Sequence, residues 1–287
     1  MTYLLPRLGI LSLVLAVTQT TASLLQSSPA TAQSRTPIQL RLNRWIEIQQ
    51  LSGPVTYRSN GGSQSAQTGQ RLSNVGDGIV TGKNARATLV IDEGIGTIQV
   101  SEKTQISIDR LQKNNGGFIT RLQVNGGQVR LKIRPFTNPN SSIHIISPAG
   151  VTGVRGTDFG VSVLPSGKTG VATLSGKVDL EAQSVTVQIP LDFQSSVIPN
   201  EPPSQPSRLI NDPKINLDRL ELQDSGTRVR FAGQTDNVNL ITLGETVIET
   251  DRQGNFDTTV PLPPDRQLTL LSTTPLGRKQ TYLLRLP

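Results

Sequence analysis

Apolar and polar residues alternate with period two along much of the chain: Gln105-Ile106-Ser107-Ile108, Arg121-Leu122-Gln123-Val124, the run Gln128 to Arg134, and Val185-Thr186-Val187-Gln188-Ile189. This period places successive apolar side chains on one face of a pleated strand, so each run predicts a half-buried β-strand. Between the runs, no stretch sustains a helical stripe. Turn residues recur at strand-length spacing, at Gly61-Gly62, Gly76-Asp77-Gly78, Gly94, Asn114 to Gly117, Asn125-Gly126-Gly127, Pro165-Ser166-Gly167 and Ser175-Gly176. Many short strands with regular turns predict an all-β sandwich, jelly roll or solenoid rather than an α/β enzyme fold.

The pattern breaks where Pro199, Pro202, Pro203, Pro206 and Pro213 crowd among Ser, Asn and Glu, a composition that favours extended linker. Beyond it, Thr227 to Phe231, Val238 to Leu243, Thr246 to Ile248, Phe256 to Leu262, Leu268 to Leu271 and Gln280 to Leu286 are again short alternating runs. Their number and length fit an immunoglobulin-like β-sandwich. At the N-terminus, Arg7 precedes the apolar run Leu8 to Val17, and Ala30-Thr31-Ala32 supplies small residues where signal peptidase requires them. The run is too short and too soon broken by threonines and Gln19 to span a bilayer. The resulting division is a cleaved signal peptide over 1–32, a first β domain over 33–194, a Pro-rich linker over 195–213 and a second β domain over 214–287. The mature chain would be periplasmic or extracellular with no membrane span. There is no cysteine, so no disulfide or lipid-bearing cysteine enters the picture.

Ser147 to Val163 reads SPAGVTGVRGTDFGVSV, in which Pro148 and Gly150 break the chain and Phe159, Val161 and Val163 alternate as a strand. With Val75 to Gly82 and Ala85 to Ile91 before it, and Gly170 to Asp179 after it, this stretch resembles the FecR-type domain of the bacterial envelope. That resemblance implies a supercoil of antiparallel strands, jelly-roll or solenoid-like, that binds proteins in signalling assemblies and carries no catalysis. Membrane-bound FecR regulators place a cytoplasmic anti-sigma segment and a transmembrane helix before this domain. Here a signal-like stretch precedes it, so direct control of a sigma factor is not expected. In the second domain, Gly233-Gln234-Thr235, the Asp251 to Phe256 turn and Val260-Pro261-Leu262 are similar to bacterial Ig-like modules, with Gly254 supplying a positive φ and Phe256 opening a buried strand.

Charge is unevenly spread. Residues 33–200 hold 17 Lys and Arg against 10 Asp and Glu, whereas residues 201–287 hold 10 against 11. The clearest basic cluster is Arg130, Lys132 and Arg134, on one face of a strand whose other face carries Val129, Leu131 and Ile133. It reads either as a solvated outer face or as a surface for an acidic partner. Arg155 and Asp158 interrupt the signature three residues apart. A turn made possible by Gly153 and Gly156 would let Arg155 tie strand carbonyls, or Asp158 itself, inside the supercoil; alternatively the two dock a partner. These five residues are the partner-binding candidates.

Catalytic and cofactor chemistry finds little footing. One histidine and no cysteine argue against a zinc site, and His144, between Ile143 and Ile145, is expected to face outward. Gly160 to Leu164 lacks the closing glycine of a serine-hydrolase elbow. Gly167-Lys168-Thr169 lacks the first glycine of a phosphate loop and is read as a hairpin turn. Asp77, Asp92, Glu93 and Asp109 are read as turn acids rather than calcium ligands. Aromatic residues make up 3% of the chain, too few stacking platforms for nucleic acid. The expectation is a non-enzymatic, cofactor-free envelope protein that recognises another protein, the alternative being adhesion through an anionic polysaccharide.

Overall fold

The alternating runs fold as strands, and in the computed structural model, which describes residues 44–286, they form all-β sheets with no α-helix among the described residues. The signal-peptide reading falls on residues 1–32 and lies outside the described residues. No helix of the described residues is long and apolar enough to cross a membrane.

The first region is a double layer. In one layer, Arg71–Leu72, Ile46–Ser52, Arg86–Ile91, Gly96–Val100, the second half of Gly117–Ile133, Asp158–Val163, Thr169–Ser175, Phe193–Val197 and Ser207–Arg208 pair side by side, all antiparallel. The other layer runs Gly62–Ser65, Val55–Ser59, Gly78–Thr81, Gln105–Asn114, the first half of Gly117–Ile133, Ser142–Ile146, Val151–Val154, Lys177–Ala182 and Val185–Pro190. One pairing in it, between Ser142–Ile146 and Gly117–Ile133, is parallel. The chain repeatedly passes from layer to layer, which gives the supercoil character expected of it. Gly117–Ile133 belongs to both layers, leaving one at Gly126 and joining the other at Gly127. Gly127 sits at φ +94°, and a Cβ there would collide with Thr104, so the crossing needs glycine. Ile48, Leu89, Ile98, Ile108, Leu122, Leu131, Ile145, Phe159, Val171 and Leu180 from both layers fill one continuous core.

The C-terminal region has a three-stranded sheet, Ile215–Gln223, Arg228–Thr235 and Asn255–Pro261, and a four-stranded sheet, Thr246–Ile248, Leu240–Leu243, Gln267–Thr273 and Lys279–Arg285. Val229, Phe231, Ile241, Phe256, Leu268 and Leu270 pack between them, with Phe231 and Phe256 edge to face at 6.1 Å. Gly254 does adopt a positive φ, +85°, while Asp251 accepts from the backbone N–H of Gln253 and Asn255.

Part of the stretch read as linker is structured. Gln194 to Val197 are buried and paired with Thr169–Ser175, and Ser204 accepts from Ser196 and Ser195 through its side chain and carbonyl. Hydrogen bonding of this backbone to the sheet outweighs the extended bias of the surrounding prolines.

Candidate functional site

The five candidate residues separate into two places. Arg130 points from the strand face as its alternation requires, opposite buried Val129 and Leu131. Its Nε and Nη2 donate to both carboxylate oxygens of Asp158, each at 2.9 Å, and its Nη1 donates to the Leu276 carbonyl. The hydrogen bond to Asp158 holds the guanidinium above its ordinary pKa, against the opposing effect of burial. Asp158 is buried, and its N–H donates to Ser175 Oγ. The expected tie of Arg155 to Asp158 is therefore corrected: the partner of Asp158 is Arg130. Gly156, at φ +145° and packed so closely on Pro135 that a Cβ would collide, turns the chain between the two residues. Arg155 is left exposed, donating to the Asn138 carbonyl at 3.2 Å, so it ties a loop carbonyl outside the supercoil, not inside it. Lys132 is exposed on the same strand as Arg130.

Arg134 instead lines a cleft of about 440 Å³, which Arg155 adjoins only through its bond to Asn138. Trp45, Phe118 and Phe136 line it together with Arg134 and Asn138, whose carbonyl Arg155 holds. The floor is rigid. Arg44, nearly buried, binds Asp92 Oδ2 at 2.8 and 3.0 Å, the carbonyls of Gln112 and Ile119, and Thr120 Oγ1, and lies 5.0 Å from the Phe118 ring centre. The guanidinium of Arg71 stacks 4.2 Å over Trp45. Arg44 is thus held by internal partners, whereas Arg134 is exposed and, among the described residues, makes no ion pair. An apolar, aromatic hollow with one open cation suits a partner that offers an apolar side chain next to a carboxylate. Sequence reasoning named Arg134 and Arg155 but missed Trp45, Phe118 and Phe136, which converge only through the fold. Their shared aromatic character in so aromatic-poor a chain was the available signal.

His144 lies on the outer face, half-buried over Gly153, where a Cβ would stand 3.3 Å from its ring. Burial, and then the nearby Arg121, hold its pKa below the usual histidine range; Glu181 opposes them. Of the acids considered for calcium, Asp77 accepts from the N–H of Ser73 and Asn74 and Asp92 pairs with Arg44, so both have internal roles. Among the described residues, no group of three metal-capable side chains occurs.

A third place was invisible to sequence reasoning. Lys168 does sit in the hairpin between Asp158–Val163 and Thr169–Ser175, with Gly167 at φ +88°. Yet Lys168 is 2% exposed. Its Nζ donates to Thr250 Oγ1 at 2.9 Å and to the Asp251 carbonyl, both on a turn of the C-terminal region. Burial lowers its pKa to about 8, a fall that Asp251, Glu249 and Asp236 oppose. Beside it, Glu249 accepts from the N–H and Oγ of Ser166 at 2.7 Å each, and Asp236 accepts from Gln194 at 2.7 Å. Burial raises the pKa of Asp236, whose second oxygen has no partner among the described residues. Ser162 Oγ donates to the Val238 carbonyl and Gln128 Nε2 to the Pro275 carbonyl. Gly160 and Gly170 complete the contact, since a Cβ at either would strike Pro275 or Val238. The face of the first layer is thus a dock for loops of the C-terminal region, and Arg130 belongs to that dock.

No curated protein matches the chain. Two crystal structures of a candidate anti-sigma factor from Parabacteroides distasonis superimpose at TM-score 0.38 and 11% identity, covering 46% and 45% of this chain. The chain spans 59% and 58% of the length of those proteins. Residues 77–179, which include the crossing strand, the signature and most of the cleft wall, match the family described as FecR protein.

Proposed function

We propose that this protein is an exported, non-enzymatic component of a bacterial envelope signalling assembly, and that it recognises another envelope protein through the cleft bounded by Trp45, Phe118, Phe136 and Arg134. The single observation that carries this reading is the coincidence of the FecR match with an aromatic hollow whose floor is locked by Arg44 and Asp92 while its rim presents a free guanidinium. A preorganised hollow of this kind loses little entropy on receiving a side chain. The C-terminal region then serves as an Ig-like module clamped to the face of the first layer, stiffening it rather than swinging from a tether.

A photo-reactive residue placed at Thr137, on the cleft rim, tests this in the native host. The expected result is one discrete protein adduct in the envelope fraction, lost on Trp45→Ala or Arg134→Ala while the melting temperature holds. An adduct with polysaccharide, or no adduct, would reject the reading. N-terminal sequencing of the same envelope material should begin at Gln33; recovery of the full-length chain from the cytosol would refute export.

A further inference from the structure

Open sheet edges invite strand pairing, and proteins usually blunt them with short strands, prolines or charges. Almost every edge here is blunted. Arg71–Leu72 and Ser207–Arg208 are two residues long, Gly62–Ser65 is wholly polar, Val185–Pro190 and Asn255–Pro261 end in proline, and Thr246–Ile248 has three residues. Lys279–Arg285 carries a cation at each end.

Ile215–Gln223 is different. It carries Asp218, Arg219 and Glu221, of opposite signs, but it is nine residues long, has no proline, and among the described residues pairs only with Arg228–Thr235. Leu220 and Leu222 stand directly opposite Phe231 and Val229, which are fully buried, so all four share the core face of that sheet. Yet Leu220 is 40% and Leu222 38% exposed, because no strand lies beyond them. Between and beside these leucines, Arg219 and Glu221 project to the outer face, exposed and 3.4 Å apart.

We infer that this edge pairs with the same edge of a second copy of the chain. The argument is the self-complementarity of the strand. In an antiparallel pair about a two-fold axis at Leu220, each Arg219 stands opposite the Glu221 of the other copy, and Leu220 meets its own equivalent. Two cross-strand ion pairs and a continuous apolar strip form together, and the two three-stranded sheets become one. Moving the two-fold axis by one residue, to Glu221, shifts the register by two and would set Glu221 against Glu221, while a one-residue slip would turn the leucines to the outer face, so the alignment is fixed. The bulge after Leu217 bends the strand away on one side and limits how far the pairing extends.

Sedimentation of the exported chain, from about 1 to 100 μM, should show a monomer–dimer equilibrium. Arg219→Glu and Glu221→Arg each place like charges at both crossing points, so each alone should weaken self-association roughly tenfold. Mixed together, the two variants should associate with each other, since every crossing pair is again of opposite sign, and the double variant R219E/E221R should dimerise as the parent does. A monomer across the whole range would overturn the inference. So would dimers indifferent to all three variants, which would place the contact elsewhere; circular dichroism of each variant confirms that its sheets are intact.

Discussion

The double layer that contains the FecR match and the C-terminal sandwich are both built mostly from antiparallel strands, yet they hold together differently. The double layer has one core drawn from nearly all the strands of both sheets, from Ile46 to Val197. The sandwich packs a handful of residues around Phe231 and Phe256 and leaves one sheet edge open. Small cores leave thin margins between burial and chain entropy. Asp158–Val163 shows how the larger region compensates: all six residues are buried, alternately in the layer's own core and under the loops of the sandwich. The smaller module is stabilised by the face of the larger one, through side chains and glycines that have no use in an isolated FecR-type layer.

The strongest way to break that dependence is Gly160→Val, which drives a side chain into the backbone of Pro275 and Leu276. More than about 3 kcal/mol of docking should be lost, and calorimetry should resolve the sandwich melting first while the double layer persists. A single, unshifted transition would show that the sandwich stands alone.

Lys168 gives a comparable effect in a pH-dependent form. Its folded pKa of about 8 lies below that of a free lysine, so between about pH 8 and 10.4 the unfolded chain binds more protons. Stability should therefore rise with pH through this window, by up to roughly 3 kcal/mol from this group, and remain level below it. Lys168→Met should flatten that rise; an unchanged slope would mean that the cation is hydrated and not buried in the dock.

Asp158→Ala removes the carboxylate that holds Arg130 and should cost about 2 kcal/mol, a fall of several degrees in melting temperature. The smallest effect belongs to Arg155→Ala, whose exposed bond to Asn138 should contribute under about 0.5 kcal/mol. A loss as large as that of Asp158→Ala would restore an internal role for Arg155.

The strands were legible because period two is a local property: Val129, Leu131 and Ile133 face in and Arg130 and Lys132 face out as their spacing dictates. The FecR-type signature was legible for the same reason, its glycines and alternating residues lying within one stretch. Partnerships were not legible. Asp158 stands opposite Lys132 and reaches Arg130 diagonally across two paired strands whose residues lie nearly thirty apart in sequence. Lys168 reads as a turn residue, and nothing near it in sequence announces that a loop eighty residues later will close over it. The aromatic cleft escaped for a like cause, since Trp45, Phe118 and Phe136 come from separate strands and loops.

The strand Gly117–Ile133, shared by both layers, has a mechanical corollary. Shear applied to either layer passes into the other along covalent backbone and not only through interdigitated side chains. Sliding the layers past each other would require Gly127 to leave its place against Thr104, so a tug at the cleft would reach the clamped C-terminal sheets with little slack.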